Sequence, residues 1–413
     1  HKIPSKNDSA RIERFGERAS LTMAISRSPA CLLCFVTLLA FPNIQANMNQ
    51  LSLSLYQILK SEENLCFSPA SIGMGLSMVL MGSRNKTAEQ IKRLLGYEDE
   101  DFIKNLFNNF ILRHMDSVVK NTNGVFVDSG LKVFDEYLNG LEYYYKSGIS
   151  YIDFRTNYEL GRKEINNWIH KNTNGIISDL FPPESFSSLT ALVLVNTIYF
   201  KGLWAKQFDP IETWIGPFTI SPTRNVETHM MHVKSEFGYG ELSGLGCQVL
   251  ELPYESSGLS MVIFLPNDKS GLENMEDRLT IEFLNTALKV LTKQKVDVTI
   301  PKFKVSNGFS MKEYLIQLGV YNLFGEGCDL SGMSADNLYV SDMFHKSVIE
   351  VDEEGTEAAA ATGKVISKRS IEMIPEFVAD HPFIFLVYDR ISDVILFMGK
   401  LTQPESVNRK KEL

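Results

Sequence analysis

Apolar positions recur at helical spacing in residues 51–59 and 72–80, which reads as two helices. A third helical pattern begins at residues 164–169, with Trp168 expected on the inward face. Later in the chain the period changes. Residues 191–200, 261–265, 296–300, 383–388 and 395–398 are rich in β-branched and aromatic side chains, and several are bounded by Pro or Gly, which reads as strands. Helices gathered early and strands gathered late predict an α+β architecture rather than alternating βαβ units. Between residues 51 and 404 no Pro/Gly/Ser-rich linker, long charge block or internal repeat breaks the pattern. One domain is therefore expected, although length alone would suggest two or three.

The first 46 residues read differently. Residues 30–41 form an apolar run of twelve, preceded by Arg27 and followed by Pro42, Gln45 and Ala46, which has the layout of a secretory leader. A membrane span needs roughly 20 apolar residues, so this run is too short for one. The expected division is an upstream segment over 1–22, a leader over 23–46 starting at Met23, and a single domain over 47–413. Cys31 and Cys34 fall inside the leader with no second pair to complete a metal or redox site.

The remaining composition narrows the partners. The chain holds 41 Lys/Arg and 50 Asp/Glu, of which residues 1–46 take six and three, leaving 35 against 47 and a net charge of −12 beyond the leader. An acidic chain is a poor nucleic-acid binder. Past the leader the cysteines are Cys66, Cys247 and Cys328, an odd number at wide spacing, so they are expected as buried small hydrophobes rather than bridges. Asn85-Lys86-Thr87 is a glycosylation acceptor pattern.

Catalytic motifs do not assemble. Gly75-Leu76-Ser77-Met78 and Gly258-Leu259-Ser260-Met261 both continue with valine where a nucleophile elbow needs glycine. Thr362-Gly363-Lys364 lacks the leading glycine and the trailing Ser/Thr of a phosphate loop. His229 and His232 are i,i+3 neighbours without a third ligand, which points to a surface or packing role rather than metal. No enzyme, cofactor or metal centre is expected.

The most unusual stretch is Glu353-Glu354-Gly355-Thr356-Glu357-Ala358-Ala359-Ala360-Ala361-Thr362, followed by Lys368-Arg369-Ser370. Alanine favours helix, yet the run has no apolar stripe for a surface helix to bury. At period two, Thr356, Ala358, Ala360 and Thr362 fall on one face, and Glu357, Ala359, Ala361 and Gly363 on the other. Both faces are small, so such a strand could enter a finished sheet without overpacking, which costs about 1–3 kcal/mol per oversized side chain. Helix and strand both remain open on these residues alone.

This run resembles the reactive-loop hinge of the serpin family, and it stands about forty residues before Phe397-Met398-Gly399-Lys400. Other blocks are similar to serpin blocks and come in the family order: Phe67-Ser68-Pro69-Ala70-Ser71-Ile72, residues 196–204 from Asn196 to Trp204, Leu252-Pro253-Tyr254, Ile300-Pro301-Lys302-Phe303 and residues 381–386. The resemblance runs from about residue 47 to 404. It implies about nine helices around three β-sheets, with an exposed reactive loop over about 353–375 that inserts into the central sheet after cleavage.

What the resemblance implies about function is specific. A serine protease would attack the loop as a substrate, form an acyl-enzyme and be carried off as the loop becomes a new strand. In the family register the scissile residue lies fourteen positions past the hinge glycine, which places the bond at Arg369-Ser370 with Lys368 as the adjoining subsite. Arginine there suits a trypsin-like enzyme whose specificity pocket holds a carboxylate. Without that register, residues 364–369 read only as a solvated basic loop. Ser68, Ser71, Asn196 and His345 match the polar cluster beneath the opening of the sheet, Trp204 the aromatic at its top, and Glu353 with Lys302 an ion pair at the loop entrance worth about 1 kcal/mol or less if exposed. Lys104, Arg113 and His114 lie near the helix that some serpins use for heparin, but Asp101 and its neighbours dilute them, so a glycosaminoglycan partner is unsupported. A secreted monomer meeting a trypsin-like protease is the expectation. The alternative is a chaperone or carrier serpin held in the endoplasmic reticulum, because Lys410-Lys411-Glu412-Leu413 resembles a retrieval tail.

Overall fold

In the computed structural model, residues 41–114, 119–255, 258–354 and 373–407 are described. Among them are nine α-helices: α1 (Phe41–Leu59), α2 (Pro69–Gly82), α3 (Asn85–Leu95), α4 (Glu100–His114), α5 (Asp135–Tyr145), α6 (Phe154–Asn172), α7 (Leu272–Asp277), α8 (Ile281–Val290) and α9 (Lys312–Gln317). The strands are β1 (Leu65–Phe67), β2 (Val119–Asp128), β3 (Ile149–Ile152), β4 (Leu192–Phe200), β5 (Trp214–Ser221), β6 (Arg224–Leu242), β7 (Cys247–Pro253), β8 (Leu259–Pro266), β9 (Thr292–Pro301), β10 (Phe303–Ser310), β11 (Asp342–Val351), β12 (Glu376–Val378), β13 (Phe383–Asp389) and β14 (Val394–Leu401). The helical and strand stretches read from periodicity all fall inside these elements, save residue 191, which precedes β4 by one. Helix α1 also takes in residues 41–46, the end of the expected leader.

Two hydrogen-bonded sheets result. One has five strands in the order β10-β11-β4-β2-β3, and the other has nine. The long β6 serves two neighbourhoods: residues 224–230 pair with β5 and 230–239 with β9, whereas 238–242 pair with β7. The nine strands thus form two groups sharing β6, which with the five-stranded sheet account for three. Gly399 shows why one motif glycine is needed. A Cβ there would overlap the Leu65 carbonyl oxygen across the β1–β14 pair.

The five-stranded sheet is covered on both faces, and the alternation along β4 shows it. Leu192, Leu194, Ile198 and Phe200 join the main core, while Val193 and Val195 join a second cluster with Phe126, Ile165, Ile169 and Phe181 beneath α6. Trp168 faces inward as expected, half-buried against the second cluster with its ring edge-on to Phe126 at 5.2 Å.

Helix α2 runs through the main core and is buried almost all round, so its ends are set by caps rather than by an amphipathic stripe. Pro69 occupies the first turn, where its missing N–H costs nothing, and the Ser68 side chain accepts from the Ser71 N–H. Cys66 and Cys247 are buried and unbridged, as expected, whereas Cys328 is only half-buried. Burial pushes the Cys66 thiol up to about 12, so it is unreactive as a nucleophile. Asn85 is exposed at the start of α3, but its side-chain amide donates to Asp329 Oδ2 at 2.7 Å, and Thr87 is fully buried.

Candidate functional site

β4 and β11 run parallel in the middle of the five-stranded sheet, in unbroken register from Asp342↔Val193 to Ile349↔Phe200. Every other lateral contact of these two strands is antiparallel, β11 with β10 and β4 with β2. Parallel ladders are slightly less stable per residue; the short β2–β3 pair at the sheet's edge is parallel too, which leaves β4–β11 as the parallel seam in the sheet's interior. A strand continuing from the end of β11 and turning back into the seam would run antiparallel to both neighbours.

The seam is locked at its centre by polar side chains. His345 and Asn196 are register partners, and both point to the face where the N-terminus of α2 abuts the sheet. The Ser68 N–H donates to His345 Nε2 at 3.0 Å, which leaves the proton of a neutral imidazole on Nδ1, 2.6 Å from Asn196 Oδ1. The same Asn196 oxygen accepts from Ser71 Oγ at 2.8 Å, and Ser68 Oγ donates to the Leu396 carbonyl at 2.6 Å. All four side chains are essentially inaccessible. Burial, helped by the charge of Lys346, pulls the His345 pKa down to about 3, and the bonding pattern agrees because an imidazolium would turn a second N–H against that of Ser68. Asn121 and Asn123 on β2 complete the cluster, the first 3.0 Å from Ser71 Oγ and the second accepting from Asn196 Nδ2. Neither was singled out from the sequence. Their signal was two amides at alternate positions of a strand that otherwise reads as buried.

The upper end of the seam is equally organised. Trp204 is buried, stacks on Tyr254 with ring centroids 4.4 Å apart, and donates its indole N–H to the Asp352 carbonyl at 2.8 Å. Glu353, the last hinge residue but one within the described part, meets Lys302 at 2.5 Å and Thr213 Oγ1 at 2.8 Å, and its carbonyl accepts from the Phe208 N–H. Burial raises the Glu353 carboxyl, but the hydrogen bonds from Lys302 and Thr213 outweigh it and hold the pKa below the usual range. The pair is more than an exposed accessory contact, since Glu353 is only 7% accessible. Lys201 adds a second clamp, 2.6 Å from Asp352 and 3.3 Å from Glu350. The chain is thus fixed up to Glu354. Gly355, Thr356, Glu357, Ala358, Ala359, Ala360, Ala361, Thr362, Lys368, Arg369 and Ser370 lie outside the described residues, as do 1–40 and the 410–413 tail.

The basic residues of α4 are not free to form a polyanion stripe. Lys104 pairs with Asp101 at 2.8 Å and Arg113 with Asp389 at 3.3 Å. His232 is engaged by Glu212 and Asp297, and among the described residues no cluster could hold a metal ion. No described helix is long and apolar enough to cross a membrane.

Comparison with known proteins agrees with this geometry. The family model described as serpin (serine protease inhibitor) matches residues 46–404. The chain is 35% identical to mouse (Mus musculus) neuroserpin over 389 residues, covering 90% of this chain and 94% of that one. It is 39% identical to the leukocyte elastase inhibitor of Bos taurus over 351 residues, covering 83% and 93%. The crystal structure of uncleaved ovalbumin superimposes with a TM-score of 0.80 at 28% identity, covering 88% of this chain and all of that one. The chain belongs to the serpin family. Serpins are protease inhibitors rather than enzymes.

Proposed function

We propose that this chain is a suicide-substrate inhibitor of trypsin-like serine proteases, cut at Arg369-Ser370 and saved from hydrolysis by insertion of its own loop. The protease serine attacks the Arg369 carbonyl, the peptide bond to Ser370 breaks, and the new amine leaves while Arg369 stays esterified to the enzyme. The freed strand then enters between β4 and β11. The observation that carries this reading is the parallel seam directly below Glu353, closed by small hydrogen-bonding side chains that can re-pair and flanked by a hinge with no large residue. Insertion replaces one parallel ladder by two antiparallel ones and gives a solvated loop its backbone partners. A twelve-residue strand spans ~40 Å, so the tethered protease travels the length of the sheet. Displacing catalytic groups by ~1 Å costs an enzyme about a hundredfold in rate, enough to outlast deacylation.

Secretion as a monomer goes with this reading, since trypsin-like targets of this type meet an inhibitor outside the cell. The test is direct. Mixed with trypsin and run on a denaturing gel, the chain should yield an adduct at the summed mass of both proteins. Nicking after Arg369 with no retained adduct would exclude trapping and favour the carrier or chaperone class.

A further inference from the structure

The seam has a foot as well as an entrance. β4 and β11 start opposite each other at Val193 and Asp342, and beside that pair the segment 184–190 frames a recess of about 280 Å³. One water needs only ~10–15 Å³ of such space, so the recess has room for a side chain. Phe186 and Phe344 wall it, edge-on with ring centroids 6.5 Å apart, and Ser187, Thr190 and Ser341 bring hydroxyls to it. Its charged groups are the carboxylates of Glu184 and Asp342, and none of the residues lining it is basic. Asp342 Oδ2 accepts from Ser310 Oγ at 2.6 Å and Oδ1 from the Met343 N–H at 2.7 Å. Burial nonetheless raises its carboxyl above the ordinary range, against those bonds and the charge of Lys312. The recess is short of positive charge.

Register says what reaches it. With Glu354-Gly355 as a two-residue turn, Thr356 pairs with Glu353 and the returning strand runs antiparallel to β11. Asp342 precedes Glu353 by eleven residues and Ser367 follows Thr356 by eleven, so Ser367 meets Asp342. The faces agree with this. Met343, Ile349 and Val351 join the main core, the side given to Thr356 and Ala358, whereas Phe344 and Val348 turn to the second cluster beneath α6, the side that Asp342 shares. By the same alternation Ser367 and Arg369 turn to the side of Asp342. Arg369 is then its diagonal neighbour, about 7–8 Å away across the pair and within reach of a long side chain. We propose that the recess is the dock for the cleaved end of the loop, where Asp342 and Glu184 receive the Arg369 guanidinium. This rests on the inhibitory reading above and names what becomes of the arginine after the cut. A guanidinium bonds carboxylates through paired, charge-assisted N–H donors, a geometry that a lysine ammonium does not offer. The last residue of the inserted strand is thereby pinned at the end of the sheet farthest from Glu353.

The test uses the full chain, cut in the loop by clostripain, a cysteine protease that cleaves after arginine. Carboxypeptidase B, which removes a C-terminal arginine, is then added, and loss of Arg369 is followed by mass spectrometry. Glu184→Gln and Asp342→Asn are made singly and together, with Glu236→Gln, exposed on β6, as the control. Thr356→Arg, whose strand should not insert, gives the rate for a free end. The cut parent should lose Arg369 at least tenfold more slowly than the cut double variant. Each single variant should be at least threefold faster than the parent, and Glu236→Gln within twofold of it. A double variant within twofold of the parent would overturn the inference, because backbone pairing alone would then protect the end. A parent as fast as cut Thr356→Arg would overturn it too. In either case a Tm raised by cleavage leaves the inhibitory reading standing, whereas a Tm unchanged by cleavage removes that reading and this inference together. Glu184 is exposed, so if Asp342→Asn does not fold, the Glu184→Gln rate decides alone.

Discussion

Acidification should loosen the seam through one residue, His345, and the effect is large enough to isolate. Its folded pKa is about 3, against about 6.5 for a free imidazole in the unfolded chain. The folded value is depressed, so below pH 6.5 the unfolded chain binds the extra proton, and stability present at neutral pH is lost as pH falls toward 3. Between pH 7 and pH 5 the linkage amounts to ~2 kcal/mol. Over the 46–404 stretch the unfolding entropy is ~0.75 kcal/mol per degree, so ~2 kcal/mol corresponds to ~2.5 °C in Tm. His345→Gln removes the titration while keeping an amide to bond, so the comparison is the Tm difference between pH 7 and pH 5 in parent and variant at one scan rate. His232 has its pKa raised, burial opposing but the bonds to Asp297 and Glu212 prevailing, and it titrates in the opposite sense in both proteins. The difference of differences is therefore His345 alone, and the parent should lose ~2.5 °C more than the variant. Equal losses would mean that His345 takes up its proton as readily in the fold as in the unfolded chain, and a smaller loss in the parent that it is already charged there; either would overturn the tautomer read from its bonds.

Three further outcomes follow from the same geometry. Lys302→Ala strands the buried Glu353 carboxylate with only Thr213 as a side-chain partner; partial exposure of Lys302 reduces the buried-pair penalty to about 1–2 kcal/mol, read as a Tm lowered by ~1–3 °C, and an unchanged Tm would show that the pair is neutral in worth. Thr356→Arg forces a charge onto the inward face of the inserting strand, so the chain should be cut by trypsin at a normal rate yet leave little adduct, and undiminished adduct would refute the face assignment. Loop cleavage should raise Tm by more than about 10 °C, from ten or more ladder hydrogen bonds at ~1 kcal/mol each; a cleaved form no more stable than the intact chain would mean that no strand is added.

Much of this was legible in the residues, for reasons that also mark the limits. Period and residue type located β4, β8, β9, β13, β14 and the helices α1, α2 and α6, although α2, β8, β13 and β14 are buried on every side and were legible from their apolar, β-branched and aromatic content rather than from one buried face. Trp168 faces inward as its place in the period requires, whereas Cys328 departed from its expected burial because a cysteine at wide spacing says nothing of local cover. Ser68, Ser71, Asn196 and His345 were found only through resemblance. Four polar residues from three distant segments carry no common period, and only the β4–β11 register brings two of them side by side. Asn121, Asn123, Thr213 and Lys201 escaped notice for the same reason, since each becomes meaningful only when its partner on another strand is known.

The placement of the lock explains how one sheet can be both closed and ready to open. An apolar seam would be sealed by packing that depends on close fit, and a strand entering it would have to displace large side chains at about 1–3 kcal/mol each. Here the centre of the seam holds hydrogen bonds between short side chains, which are costly to leave unmade but indifferent to which partner makes them. Asn196, released from His345, could be satisfied by the backbone or by a threonine of the incoming strand, and Thr362 and Thr356 are the polar residues on its inward face. The clamps at Trp204, Lys201 and Lys302 hold the entrance on the stretch from Glu350 to Glu353, immediately before the hinge. On the proposed inhibitory mechanism the barrier to opening therefore sits at two points whose bonds can be exchanged, while the apolar alternation that defines the sheet on either side stays as it is.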